Sequence, residues 1–262
     1  MSKRVISPEE RQRRIQKAIH SESSPFAIRN RRELDKNLRR LERIDDFVSK
    51  RVMSSSLYLI TDALKRFFAN RALYYAAVLG KIPLAEKLID TYGADINYRG
   101  GKVGHTPLHQ ALIGKRLGMA EYLLKKGAKI RQNKNGDTPL VWACAFGGSH
   151  DISVFHRYGF DFNKPDVVWN VKKEFFGWGR VKHYPVAVAF ACHNPKVLQK
   201  LIDTGVRLDI PVFYSGIFHK RKTLQEVIED PEILKERSHP ECVKIVRQAL
   251  ANRHLQQDHI RS

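Results

Sequence analysis

The sequence predicts an all-α protein built as a stack of about five short antiparallel helix pairs. Three observations carry that expectation. A short marker recurs at one fixed distance from a glycine; small residues follow the marker; and larger apolar residues at three- and four-residue steps lead up to the glycine.

The markers come first, because a missed repeat misassigns everything downstream. Thr106-Pro107-Leu108-His109 precedes Gly127 by twenty-one residues, and Thr138-Pro139-Leu140 precedes Gly159 by the same number. Tyr184-Pro185-Val186 stands twenty-one residues before Gly205, and Ala72-Leu73-Tyr74 twenty-one before Gly93-Ala94-Asp95-Ile96-Asn97. The Thr-Pro pair suits a helix start: the hydroxyl caps orphan N–H groups, and proline in the first turn has no donor to lose. Ala76, Ala77, Ala111, Ala143, Ala145, Ala187, Ala189 and Ala191 then keep each first helix thin enough for close stacking. The second helices carry Leu84, Leu88 and Ile89, then Ala120, Leu123 and Leu124, then Val197, Leu201 and Ile202, spaced for one apolar face. Each ends at the glycine, which takes the left-handed conformation of a C-cap, so Gly127 is expected there.

Thr106-Pro107-Leu108-His109-Gln110-Ala111, Tyr122-Leu123-Leu124-Lys125-Lys126-Gly127-Ala128 and Gly136-Asp137-Thr138-Pro139-Leu140 resemble the ankyrin repeat, over roughly residues 71–250. The resemblance implies an ankyrin-repeat solenoid whose concave side and loop tips bind protein. It also implies that His109 ties its turn together by hydrogen bonding. Repeats are expected at about 71–103, 104–135, 136–182, 183–220 and 221–250, the fifth beginning near Lys222-Thr223-Leu224 and carrying an enlarged turn with Pro231 and Pro240. A basic polar tail, 251–262, follows.

Residues 1–70 do not repeat. Residues 1–29 read as a basic N-terminal helix and linker, with Ser7-Pro8-Glu9-Glu10 as a capping box and a break from Ser21 to Pro25. Residues 30–70 read as a helical cap. One helix is expected from about Asn30 to Val48, with Leu34, Leu38, Leu41 and Val48 on one stripe among arginines. Another is expected from about Leu57 to Ala69, with Leu57, Ile60, Leu64, Phe67 and Phe68 covering the open side of the first repeat.

Two finger loops between repeats are oversized. Gly127 to Thr138 spans eleven residues but Gly159 to Tyr184 spans twenty-five. Val167–Val171 and Phe175–Val181 are β-prone runs, so a hairpin is expected there. With the next finger they should form a ledge of aromatic and basic residues: Trp169, Lys172, Lys173, Phe175, Phe176, Trp178 and Arg180 from one, Phe213, Tyr214, Phe218, Lys220 and Arg221 from the other. Aromatic anchors inside a basic rim suit a binding hot spot; the other reading is that the two loops bury their aromatics on each other.

The chain of 262 residues has 47 Lys and Arg against 27 Asp and Glu, a formal charge of +20. Such a field attracts acidic protein, nucleic acid or acidic lipid. Residues 1–70 hold 17 basic and 9 acidic side chains, so the excess is spread along the chain. Cys144, Cys192 and Cys242 form neither a disulfide framework nor a CxxC half-site, and no eighteen-residue apolar run or signal-peptide pattern occurs. The reading is a soluble, intracellular, cytoplasmic protein.

Enzyme signatures are absent: the sequence has no HExxH, GxSxG or GxxxxGK[ST]. Gly100-Gly101-Lys102-Val103-Gly104-His105-Thr106 has a phosphate loop's letters in the wrong order and reads as a finger turn. Cys192-His193, and His150 with His156, are conceivable nucleophile or metal groups, but Cys144 and Cys192 are expected on inner helices where a small apolar thiol packs well, and His105 precedes the helix that carries His109. No cofactor and no metal are expected. The leading function is therefore a non-enzymatic scaffold for an acidic protein partner. Nucleic-acid binding through stacking aromatics, and anionic-membrane association through the Arg-rich N-terminal helices, are the alternatives. A basic array behind an unrelated helical leader is also similar to host-directed effectors of intracellular bacteria.

Overall fold

The computed structural model describes residues 21, 23–50, 54–164, 167–170, 180–209, 211–213, 221–230 and 240–261. The expected helix near residues 7–20 lies outside them. Two compact units divide at Lys129/Ile130.

The first unit holds α1 (Pro25–Ser49), α2 (Ser55–Leu79), α3 (Ile82–Asp90), α4 (Pro107–Ile113) and α5 (Leu117–Lys125). Helix α1 starts five residues earlier than its apolar stripe suggests, because Ser24-Pro25 is itself a start signal. The Ser24 hydroxyl accepts from the Ala27 N–H at 3.0 Å, and Pro25 fills the first turn. Leu34 and Leu41 are buried as the stripe requires. Asn30 and Asn37 are buried too, each donating its amide to a carbonyl one turn back, Phe26 O and Glu33 O.

Helix α2 overturns two expectations. The leader helix and the first helix of the first repeat are one 25-residue helix. Nothing from Ser55 to Leu79 is glycine or proline, so no local signal stops it before Gly80. Its N-terminal half does not cover the first repeat either: Leu57, Ile60, Leu64 and Phe67 are exposed. Helix α1 does the covering, packing along α2. Ala72, Leu73, Ala76 and Ala77 in the other half of α2 are fully buried, and α2 contacts both α3 and α4.

The second unit holds α6 (Pro139–Phe146), α7 (Ser149–Arg157), α8 (Pro185–Ala191), α9 (Pro195–Asp203), α10 (Leu224–Glu229) and α11 (Pro240–Arg261). These are three further pairs, α6 with α7, α8 with α9 and α10 with α11, and within the unit α6 touches α8, α7 touches α9 and α9 touches α11. Leu140, Cys144, Ile152, Val186, Leu198, Leu201, Leu224 and Val246 are its core. Ala191, expected among the thin inner positions, is exposed at the end of α8. Helix α11 runs past residue 250 to Arg261, through the stretch expected to be a polar tail.

Gly93, Gly127, Gly159 and Gly205 all have positive φ, from 63° to 89°, with Gly127 at 89°. The residue after each glycine donates back across the helix end: Ala128 N to Leu123 O at 2.9 Å, Phe160 N to Phe155 O at 3.1 Å. That six-to-one bond terminates the helix and requires the left-handed residue before it.

Candidate binding surface

The turn chemistry is built upward from the helix caps. The Thr106 and Thr138 hydroxyls accept from the N–H of His109 and Val141. In the first case the box is closed by the motif histidine, whose Nδ1 accepts from Thr106 N at 3.1 Å and lies 2.9 Å from Thr106 Oγ1. A backbone N–H donating to Nδ1 leaves that nitrogen unprotonated. Tyr184 has no side-chain cap at the equivalent place, while Thr223 and Glu226 form a full capping box in the fifth repeat.

His105 stacks on His109, ring centroids 5.1 Å apart and planes 12° from parallel. Sequence position alone kept these two apart. The finger turn brings them together, because Gly100 and His105 pair as an isolated bridge and Gly101 and Gly104 take positive φ. Gln110 Nε2 donates to Tyr74 Oη at 2.9 Å and lies 3.2 Å from His105 Nδ1. Burial pushes the His105 imidazolium down to about 4, and burial foremost pushes the Tyr74 phenol up to about 12. His105 and Tyr74 are thus uncharged, hydrogen-bonded groups at the base of the turn.

The fingers are held at their bases by a side-chain ladder. Asp95 Oδ1 accepts from Asn97 N at 2.8 Å, and Asn97 Oδ1 accepts from Lys129 N at 2.7 Å. In the second unit Asp161 Oδ1 accepts from Asn163 N at 2.9 Å, and Asn163 Oδ1 accepts from Arg207 N at 2.7 Å. Asp95 and Asn97 were legible as turn residues. Asn163 was not singled out, although Gly159-Phe160-Asp161-Phe162-Asn163 matches Gly93-Ala94-Asp95-Ile96-Asn97 position by position. Asn194 is a further tie, its amide donating to Gly147 O at 3.0 Å. Beyond these ties the finger side chains of the first unit include exposed Arg99 and Lys102, and those of the second unit exposed Arg131, Lys134 and Lys164.

Both enlarged fingers contain antiparallel hairpins. β1 (Val167–Asn170) pairs with β2 (Arg180–His183), Trp169 opposite Val181 and Asn170 opposite Arg180. β3 (Pro211–Phe213) pairs with β4 (Arg221–Thr223), Phe213 opposite Arg221. β2 and β3 adjoin. Trp169, Arg180, Phe213 and Arg221 thus stand on neighbouring ladders. Lys172, Lys173, Phe175, Phe176, Trp178, Tyr214, Phe218 and Lys220 lie outside the described residues.

Among the described residues no group of three or more His, Cys, Asp and Glu is placed to hold a metal, and no helix is long and apolar enough to cross a membrane. Burial raises the thiols of Cys144, Cys192 and Cys242, the last two to about 12, which disfavours the thiolate.

Helix pairs capped by Thr-Pro, closed by left-handed glycines and tied at their fingers by Asx residues define a repeat protein that presents loops from a helical frame. The family model for ankyrin repeats, in three copies, matches residues 73–166. A putative ankyrin repeat protein of Rickettsia felis is 30% identical over 141 residues, 54% of this chain and 58% of that protein. The NF-kappa-B inhibitor cactus of Drosophila melanogaster is 31% identical over 99 residues, 37% of this chain and 20% of that protein. The human 2-5A-dependent ribonuclease is 34% identical over 79 residues, 30% of this chain and 10% of that protein. The chain spans less than two thirds of each relative. Ankyrin repeats generally mediate protein–protein interaction.

Proposed function

We propose that this chain is a non-enzymatic scaffold that binds an acidic protein through its inner-helix face and two enlarged fingers. The observation that carries the reading is the pair of adjoining hairpins, β1–β2 and β3–β4, set between helix pairs of a chain whose residues 73–166 match ankyrin repeats. A net charge of +20 selects the sign of the partner. Trp169, Trp178 and Phe213 are the proposed anchors, with Lys172, Lys173, Arg180, Lys220 and Arg221 as the basic rim. The cactus relative, an inhibitor of NF-kappa-B by its name, supports a binding role, and the Rickettsia relative supports a host-directed protein of an intracellular bacterium.

Affinity capture with the full chain, with and without nuclease, tests this. Capture of one protein that survives nuclease and is lost in a Trp169→Ala, Trp178→Ala variant of unchanged melting temperature is expected. Capture unaffected by the substitutions, or abolished by nuclease, overturns the reading in favour of another surface or of nucleic acid.

A further inference from the structure

We infer that the N-terminal end of α2 docks on an anionic bilayer surface. Leu57, Tyr58, Leu59, Ile60, Leu64 and Phe67 are all exposed, Leu59 by 68% and Tyr58 by 60%. Single exposed apolar residues are ordinary, but six within three turns of one helix are not. The face lies on the repeat frame's helical cap, and the inference is independent of whether the fingers bind a protein.

The shape of this end selects the occupant. Every residue from Ser54 to Ile60 is exposed, so consecutive side chains project on all sides of the helix. Leu57, Ile60, Leu64 and Phe67, at i, i+3, i+7 and i+10, make one stripe that a partner helix or groove could take, but exposed Tyr58 and Leu59 project off that stripe and would stay uncovered. A convex apolar end carrying an aromatic instead suits the headgroup boundary, where a bilayer closes around it from every direction.

The charge around it selects the lipid. Helix α1 runs back alongside α2, with the Arg40 guanidinium 5.0 Å from the Phe68 ring centroid and Arg71 5.8 Å from that of Phe67. Arg39, Arg43 and Lys50 are exposed on the same leader. From Pro25 to Lys50 there are eight Lys and Arg against five Asp and Glu. Ion pairs engage both signs, Asp45 with Lys65 and Asp46 with Lys50 at 2.6 Å and Glu33 with Arg71 at 3.9 Å, so the excess of eight over five stands on the arginines of α1. Cations beside an apolar end attract anionic headgroups. They also disfavour a second copy on this face, which would bring like charges together. The Arg-rich helix by itself has no bulky outward apolar face; the exposed half of α2 supplies it.

The test is vesicle co-sedimentation of the full chain with phosphatidylcholine alone and with added phosphatidylserine. A Leu57→Ser, Leu59→Ser, Ile60→Ser variant keeps the net charge, and its sites are exposed, so its melting temperature should match the parent. The parent should favour the anionic vesicles by about tenfold or more, and the variant should lose about tenfold of that affinity. Failure of the parent to sediment with anionic vesicles overturns the inference. So does equal binding by the variant, which would leave only charge attraction. A parent dimer seen by light scattering and dissolved in the variant would assign the face to a second copy instead.

Discussion

Acid should unfold this protein partly through His105. The ring is stacked on His109, its Nδ1 lies within reach of the Gln110 amide, and burial holds its pKa at about 4 against an ordinary 6.5. Between those values the unfolded chain binds a proton that the folded chain refuses, so stability falls as pH drops below 6.5 and the loss is complete below 4. From pH 7 to pH 5 the linkage amounts to about 2 kcal/mol. Other groups titrate in that window, so the comparison is with His105→Gln, which keeps a polar side chain and cannot titrate. Urea unfolding at both pH values should show the parent losing about 2 kcal/mol more than the variant. Histidine ring NMR should show a resonance with a midpoint near 4 that is missing from the variant. Parallel stability profiles, or a His105 midpoint at 6.5, would refute the argument.

The covering role assigned to α1 predicts that Leu41→Ala, at a nearly sealed site, costs about 3 kcal/mol of stability, whereas Leu64→Ala on exposed α2 changes it by less than about 0.5 kcal/mol, both by denaturant unfolding. The two glycine classes should separate likewise. A Cβ at Gly114 would stand 2.3 Å from Val78 O, so Gly114→Ala should cost about 3 kcal/mol through forced backbone movement. At Gly127 a Cβ meets nothing, and only the left-handed backbone, at about 1 kcal/mol, opposes Gly127→Ala. Equal melting temperatures for the two glycine variants would contradict the close approach of α4 to α2.

The repeat register was determined by sequence alone, because its signals are local. A hydroxyl caps the helix three residues away, a left-handed glycine closes the next, and their separation follows from helix length. Hence the Thr-Pro starts, the four positive-φ glycines and the hairpin at Val167 were all legible. Tertiary structure decided what depends on distant chain. No property of residues 55–69 says whether that half of α2 will be covered; that depends on where α1 lies, and it left Leu57, Ile60, Leu64 and Phe67 outside. The strap from Asn163 to Arg207 crosses 44 residues of sequence, and the His105–His109 stack needs the whole finger to turn. Local hydrogen bonds can be read along a chain, whereas burial is a relation between elements, and only the fold supplies the second element.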